Sequence, residues 1–276
     1  MKITKYHALG NDYIVVNPND LESEITPRDI RALCNRHYGF GSDGVLYGPL
    51  KSKNSDFALR IFNPDASEAE KSGNGLRIFS RYLWDLGLVG DTQFSIQTKG
   101  GKVIASVDPS GTMVSVEMGK VAFTYDDVNF PVLKAETIVV KGQSFTFYRA
   151  NVGNPHCVIP VKELPSNIAQ TYGKAIEEDN RFASRTNVQF MKVVDRRTIQ
   201  IEIWERGAGY TLASGSSSTA SAAVAHALGL CDSQISVMMP GGIIEITLDK
   251  DFCALMKGPV CKVGEGSLSV EALSFF

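Results

Sequence analysis

Hydrophobic and polar positions change period along the chain, and the changes mark its elements. Alternating stretches at Lys102 to Glu117 and Ile243 to Met256 each carry a turn, Asp108-Pro109-Ser110-Gly111 and Asp249-Lys250-Asp251, and predict hairpins. Elsewhere the period is helical. After Ser72, the residues Leu76, Phe79, Tyr82, Leu83 and Leu86 fall on one apolar stripe. After Ser214 almost every position is small, with Ala220, Ala222, Ala223, Val224, Ala225 and Ala227, which suits a helix enclosed on all sides. A third helix is predicted over Pro27 to His37, with Thr26 as its N-cap, Pro27 in its first turn and Gly39 past its end.

The pattern occurs twice. Ser72-Gly73-Asn74-Gly75 opens a helical stretch closed by Leu86-Gly87-Leu88, and Ser214-Gly215-Ser216-Ser217 opens one closed by Leu228-Gly229-Leu230 at the same spacing. Phe62 and Trp204 stand equally far upstream of the two serines, and Gly10-Asn11 and Gly153-Asn154 agree in register to one residue. Gly100-Gly101 answers Gly241-Gly242 downstream, and Met118-Gly119-Lys120-Val121 answers Lys257-Gly258-Pro259-Val260. The period far exceeds the roughly 20–50 residues of solenoid repeats. It predicts two similar domains meeting face to face, each mostly strands around one buried helix, with a boundary near residues 118 to 124.

Composition narrows the function classes. A chain of 276 residues is long enough for each half to bury a core. With 28 Lys and Arg against 30 Asp and Glu, 43% hydrophobic and 21% charged residues, it has ordinary globular composition and no basic nucleic-acid footprint. No apolar run is long enough for a membrane span, and the polar N-terminus does not read as a secretory signal. Five scattered cysteines without a C-x-x-C pair fit a reducing cytoplasm and speak against a zinc site.

Chemistry concentrates at the two Ser-Gly helix starts. A helix N-terminus presents free N–H groups and a partial positive charge, so two of them facing each other suit an anion. Capping is the commonest task of a serine there. The duplication, and the polar set Asn63, Asn74, Asn154, His156, Asn187, Glu205 and Arg206 at loop-like positions, point beyond capping to binding. Gly39 to Gly44 matches G-x-G-x-x-G but follows a helix and precedes a strand, the reverse of a dinucleotide fingerprint, and no nucleophile elbow occurs. His7, His37 and His226 read as structural, and the basic run from Arg181 to Arg197 as solvated charge.

Six segments, in order, carry a resemblance. His7-Ala8-Leu9-Gly10-Asn11-Asp12-Tyr13, Phe62 to Glu68, Ser72-Gly73-Asn74-Gly75, Gly153-Asn154-Pro155-His156-Cys157, Thr186-Asn187-Val188 and Glu205-Arg206-Gly207 resemble the diaminopimelate epimerase family. The resemblance implies an α/β (α+β) fold of two pseudo-symmetric domains, each a curled, mostly antiparallel sheet around a central helix, with the active site in the cleft between them. The domains are expected at residues 1–118 with 263–276, and at 119–262. It also implies a cytoplasmic isomerase that uses no pyridoxal phosphate or other cofactor and no metal. The expected partner is a small amino-acid substrate, with neither nucleic acid nor membrane; a homodimer is a candidate assembly.

In that family two cysteines on opposite faces of the substrate Cα act as base and acid. Both positions here are serine, Ser72 and Ser214, and His156 and Glu205 join them as candidate catalytic residues. Asn11, Asn63, Gly73, Asn74, Asn154, Asn187, Glu205, Arg206, Gly215 and Ser216 are the expected substrate-binding residues, the bidentate task suiting Arg206. Gly44 stands where the family commonly presents Gln to the substrate. A thiol near pKa 8.5 is a plausible base and a hydroxyl, which resembles water in acidity, is a poor one, a gap of roughly 7 units or up to about 10 kcal/mol. Open at this point are an epimerase with altered or reduced chemistry, one whose serines His156 or Glu205 activate, a deliberate double Cys→Ser variant, a racemase for another amino acid, a lyase sharing the carbanion step, and a non-catalytic amino-acid-binding homologue.

Overall fold

The computed structural model describes residues 1–125, 128, 129 and 133–276. The chain divides into two compact units, Met1–Val116 with Gly258–Phe276, and Glu117–Lys257.

In chain order the first unit holds β1 (Lys2–Ala8), β2 (Asn11–Val16), α1 (Pro27–Cys34), β3 (Val45–Leu50), β4 (Phe57–Phe62), β5 (Glu68–Ala69), α2 (Gly73–Asp85), β6 (Phe94–Thr98), β7 (Gly101–Val107) and β8 (Met113–Lys120), which runs past its end. The second unit holds β9 (Thr124–Tyr125), β10 (Val128–Asn129), β11 (Glu136–Val140), β12 (Gln143–Asn151), β13 (Pro155–Pro160), α3 (Ile168–Glu177), β14 (Asn187–Asp195), β15 (Thr198–Glu205), β16 (Gly209–Thr211), α4 (Gly215–Ala227), β17 (Gln234–Met239), β18 (Gly242–Leu248) and most of β19 (Cys253–Pro259), which runs past its end. β20 (Cys261–Ser267) returns to the first unit and pairs with β1.

The repeat read from the sequence is a repeat of topology. In the first unit β1 is antiparallel to β2, β2 parallel to β3, and β3 antiparallel to β4, which also pairs with antiparallel β5 and parallel β6; a β6–β7–β8 meander follows. In the second unit the same senses recur for β12 to β19 in the same order. Each unit adds one strand to its first, β20 to β1 and β11 to β12. The two expected hairpins are β7–β8 and β18–β19.

Each unit closes around its serine-headed helix. α2 packs on β1, β2, β3 and β7, and buries Leu76, Ile78, Phe79 and Leu83 completely. Each such side chain contributes about 1.5–3 kcal/mol of burial. Leu86 departs from the expected stripe: it is the C-cap of α2 and is exposed. α4 packs on six strands, and its run from Ser217 to Ala225 is buried on every side, as its small residues require. α1 and α3 cover the outside of the sheets over separate apolar clusters, the first including Ile14, Ile30, Leu33 and Val45, the second including Phe147, Ile159, Ile176 and Phe190.

α1 begins as expected and ends early. Thr26 and Asp29 form a reciprocal capping box, but the helix stops at Cys34 rather than reaching His37. The Asn35 side chain accepts the His37 and Tyr38 N–H groups, offering the backbone a turn in place of another helical turn.

Candidate active site

Ser72 and Ser214 are both N-caps. Ser72 Oγ accepts the Gly75 N–H at 3.0 Å, and Ser214 Oγ accepts the Ser217 N–H at 3.4 Å. Both serines have extended backbone and so leave the first turn pointing away from the helix axis. Gly73 and Gly215 follow, and α2 and α4 present the positive ends of their dipoles beside a hydroxyl.

In the first unit the loop residues interlock with α2. Asn74 donates to Asn11 Oδ1 at 3.0 Å, and Asn11 donates to Asp43 Oδ2 at 2.8 Å. Beneath Asn74 lies Arg77, 0% exposed, whose Nη2 donates to Asn74 Oδ1 at 2.6 Å and whose Nη1 donates to the Pro259 carbonyl. Burial lowers its pKa to about 10. At the other end Arg36 bridges Asp12 and Asp43, and Lys5 pairs with Asp12 at 2.7 Å. Burial works against the Asp12 charge, yet Arg36 and Lys5 hold this carboxyl below its usual range. The network fixes both amide orientations: Asn74 Oδ1 must face the guanidinium, so its NH₂ faces Asn11. Asn63 stands apart on an exposed turn, donating to Ser67 Oγ at 2.9 Å.

Tyr13, from β2, reaches the serine itself, with its hydroxyl 3.2 Å from Ser72 Oγ. Its ring lies against Gly44, where a Cβ would meet Tyr13 Cε1 and the Phe62 carbonyl at 2.6 Å.

In the second unit β13 and β14 run parallel with His156 beside Asn187. His156 is 1% exposed, and its Nε2 lies 2.8 Å from Asn154 Oδ1 while Nδ1 has no hydrogen-bond partner among the described residues. Because Oδ1 only accepts, Nε2 carries the proton. Burial, and then the charge of Arg206, lower the His156 pKa to about 3. Asn187 ties two segments together, donating to the Pro155 carbonyl and accepting the Arg206 N–H at 3.0 Å. Arg206 itself donates to the Ser184 carbonyl, and Ser216 is half-buried in the first turn of α4.

The loop carrying Glu205 and Arg206 is held from behind by a residue the sequence did not single out. Buried Glu177, at the end of α3, accepts Trp204 Nε1 and the Gly207 N–H, each at 2.8 Å, and pairs with Arg185. Glu177→Gln retains one oxygen for two donors and is expected to lower stability by about 1–2 kcal/mol in urea unfolding. Arg36, Asp43 and Arg77 were likewise not singled out. For Tyr13 a signal existed: the repeat aligns Asn11-Asp12-Tyr13 with Asn154-Pro155-His156, so position 13 answers to a singled-out histidine.

The diaminopimelate epimerase family model matches residues 3–124 and 148–263. The chain belongs to the diaminopimelate epimerase family. Diaminopimelate epimerase 2 of Nostoc sp. (strain PCC 7120 / SAG 25.82 / UTEX 2576) is 57% identical, over 98% of this chain and 96% of that protein. Diaminopimelate epimerase of Synechococcus sp. (strain JA-3-3Ab) is 36% identical, over 95% and 96%. Family membership makes the chain an isomerase of the epimerase type. Solved structures share the fold: a hydroxyproline epimerase from Agrobacterium vitis with bound trans-4-OH-L-proline has a TM-score of 0.69 at 16% identity, covering 98% of this chain and 92% of that one. A PhzF-family phenazine biosynthesis protein from Bacillus anthracis has a TM-score of 0.65 at 15% identity, covering 98% and 99%.

Proposed function

We propose that this chain epimerises diaminopimelate at Cα without a cofactor, Ser72 serving one face of the carbon and Ser214 the other, at a rate held down by the weak acidity of both hydroxyls. The observation that carries this is the pair of serine-capped helix N-termini, α2 and α4, at equivalent points of two units with the same strand order. Inversion needs a proton taken from one face and returned on the other, and charge developing toward the carboxylate is stabilised by helix N-terminal N–H groups. On this reading Gly73, Asn74, Gly215 and Ser216 bind the α-carboxylate. Asn11, Asn63, Asn154, Asn187, Glu205 and Arg206 hold the distal ammonium and carboxylate, and His156 orients Asn154.

Neutral His156 is not a base for Ser214 in this scheme: among the described residues no hydrogen bond joins its ring to Ser214, and burial makes the imidazole a weak base. The cytoplasmic setting and a homodimer belong to the same proposal. The hydroxyl pair also favours a second reading, amino-acid binding without turnover. Incubation with LL-diaminopimelate followed by chiral chromatography decides between them. Slow formation of the meso isomer is expected; its absence with the native chain and with Ser72→Cys/Ser214→Cys alike overturns the epimerase reading.

A further inference from the structure

The two halves of the repeat differ where the serines are served. In the second unit the parallel β13–β14 pair sets His156 beside Asn187, one residue before the Cys157–Val188 pair. The equivalent place in the first unit, one residue before the Ile14–Val45 pair of β2 and β3, holds Tyr13 and Gly44. Where the second unit has an asparagine side chain, the first has none. The Tyr13 ring fills that space, since a Cβ on Gly44 would lie 2.6 Å from it, and its hydroxyl reaches Ser72 Oγ at 3.2 Å. Tyr13 is 8% exposed, so its phenol is screened from bulk water while facing the serine. Ser214 has no such neighbour among the described residues: its hydroxyl receives the Ser217 N–H, and the Met239 thioether accepts its backbone N–H.

We propose that Tyr13 is the proton reservoir behind Ser72, which makes the site one-sided, so that the chain exchanges the substrate's Cα proton faster than it inverts the centre. The proposal rests on the epimerase reading above. A phenol in water, near pKa 10, is ionised in about one molecule in 10³ at pH 7, and burial reduces that fraction, but an aliphatic hydroxyl is a far weaker acid still. With Tyr13 as phenolate, the Cα–H bond breaks and its proton forms a new O–H bond to Ser72 Oγ. The original Ser72 proton passes to the phenolate oxygen, and the C–H electron pair stays on Cα as a carbanion conjugated with the carboxylate. The return step is the reverse, and solvent exchange of the two hydroxyl protons delivers deuterium in D₂O. A 3.2 Å contact tightening on substrate binding suffices for this relay. Because Tyr13 acts through Ser72, it is a positioning residue for that hydroxyl.

The test uses five chains: native, Tyr13→Phe, Ser72→Cys, Ser72→Cys with Tyr13→Phe, and Ser72→Cys/Ser214→Cys. Phenylalanine keeps the ring over Gly44 and removes only the hydroxyl. Deuterium uptake at Cα of LL- and meso-diaminopimelate is followed by NMR from pH 7 to 9.5, with stereochemistry read by chiral chromatography. In the native chain, exchange is expected to exceed inversion at least tenfold and to climb with pH. Tyr13→Phe is expected to slow exchange about 10²-fold and flatten the climb. The same change beside a cysteine at 72 should alter the rate less than about threefold, because a thiol ionises without help.

Equal exchange in native and Tyr13→Phe overturns the proposal, as does an equal loss in both backgrounds, which would mark a packing role. Silence of the native chain with exchange in Ser72→Cys/Ser214→Cys overturns the Tyr13 relay and leaves the epimerase reading standing. Silence in both overturns the epimerase reading and the relay with it.

Discussion

Ser72→Cys/Ser214→Cys is expected to speed conversion of LL- to meso-diaminopimelate by at least about 10³-fold, read by chiral chromatography at pH 7.5. Acidity at a fixed geometry sets the gain. Both side chains cap helices through Oγ, and sulfur in the same place keeps the extended backbone and stays beside the positive end of the helix dipole. The pKa gap of roughly 7 units sets a ceiling of about 10 kcal/mol, or 10⁷ in rate. The expected gain is smaller, because a weaker base gives back part of its basicity in the transition state and the Tyr13 relay already serves one face. The Ser214 face has the most to gain, so Ser214→Cys alone should raise inversion more than Ser72→Cys alone. Replacement costs a weaker cap on each helix, seen as a lower urea midpoint.

Acidification is expected to destabilise the chain through His156. Its folded pKa of about 3 lies below the ordinary value near 6.5, so below 6.5 the unfolded chain binds a proton that the folded chain refuses. The contribution of the neutral imidazole is complete above pH 6.5 and is lost as the pH falls toward 3. At about 1.4 kcal/mol per pH unit, roughly 3 kcal/mol is gone by pH 4.5. The geometry agrees: the ring is 1% exposed, Nε2–H is spent on Asn154, and Nδ1 makes no hydrogen bond among the described residues, while Gln189 offsets the effect of burial only in part. Urea unfolding at pH 7.5 and 4.5 should show native losing about 3 kcal/mol more than His156→Gln. The imidazole resonance of the folded native chain should not titrate down to pH 4.5. Parallel losses, or a titration near 6, would remove His156 from the account.

Much of the fold was legible because it is written in local pattern. The hairpin turns, the small-residue run of α4 and the N-cap at Thr26 are near-neighbour features, and the structure builds them where the pattern lies. The repeat was legible because equal spacings of glycine and serine survive even where the side chains between them differ. α3 was not: its N-cap Asn167 makes no side-chain capping bond, and Gly173 interrupts its interior. That glycine answers to a distant residue, since a Cβ there would lie 2.4 Å from Trp204 Cβ. The same holds for the site. Motif residues such as Asn11, Asn74 and Asn187 were visible, while the groups that orient them were not, because Arg77 depends on a carbonyl at Pro259 and Glu177 on an indole at Trp204. Charges used across such separations leave no periodic trace.

The measurement that bears most directly on the central claim is proton NMR of LL-diaminopimelate in D₂O with the native chain and with Ser72→Cys/Ser214→Cys. Loss of the α-proton signal is expected in both, slowly in the native chain, with deuterium at Cα and the product recovered as the meso isomer in the cysteine variant. An α-proton signal untouched by either chain would contradict the assignment of Ser72 and Ser214 to proton transfer.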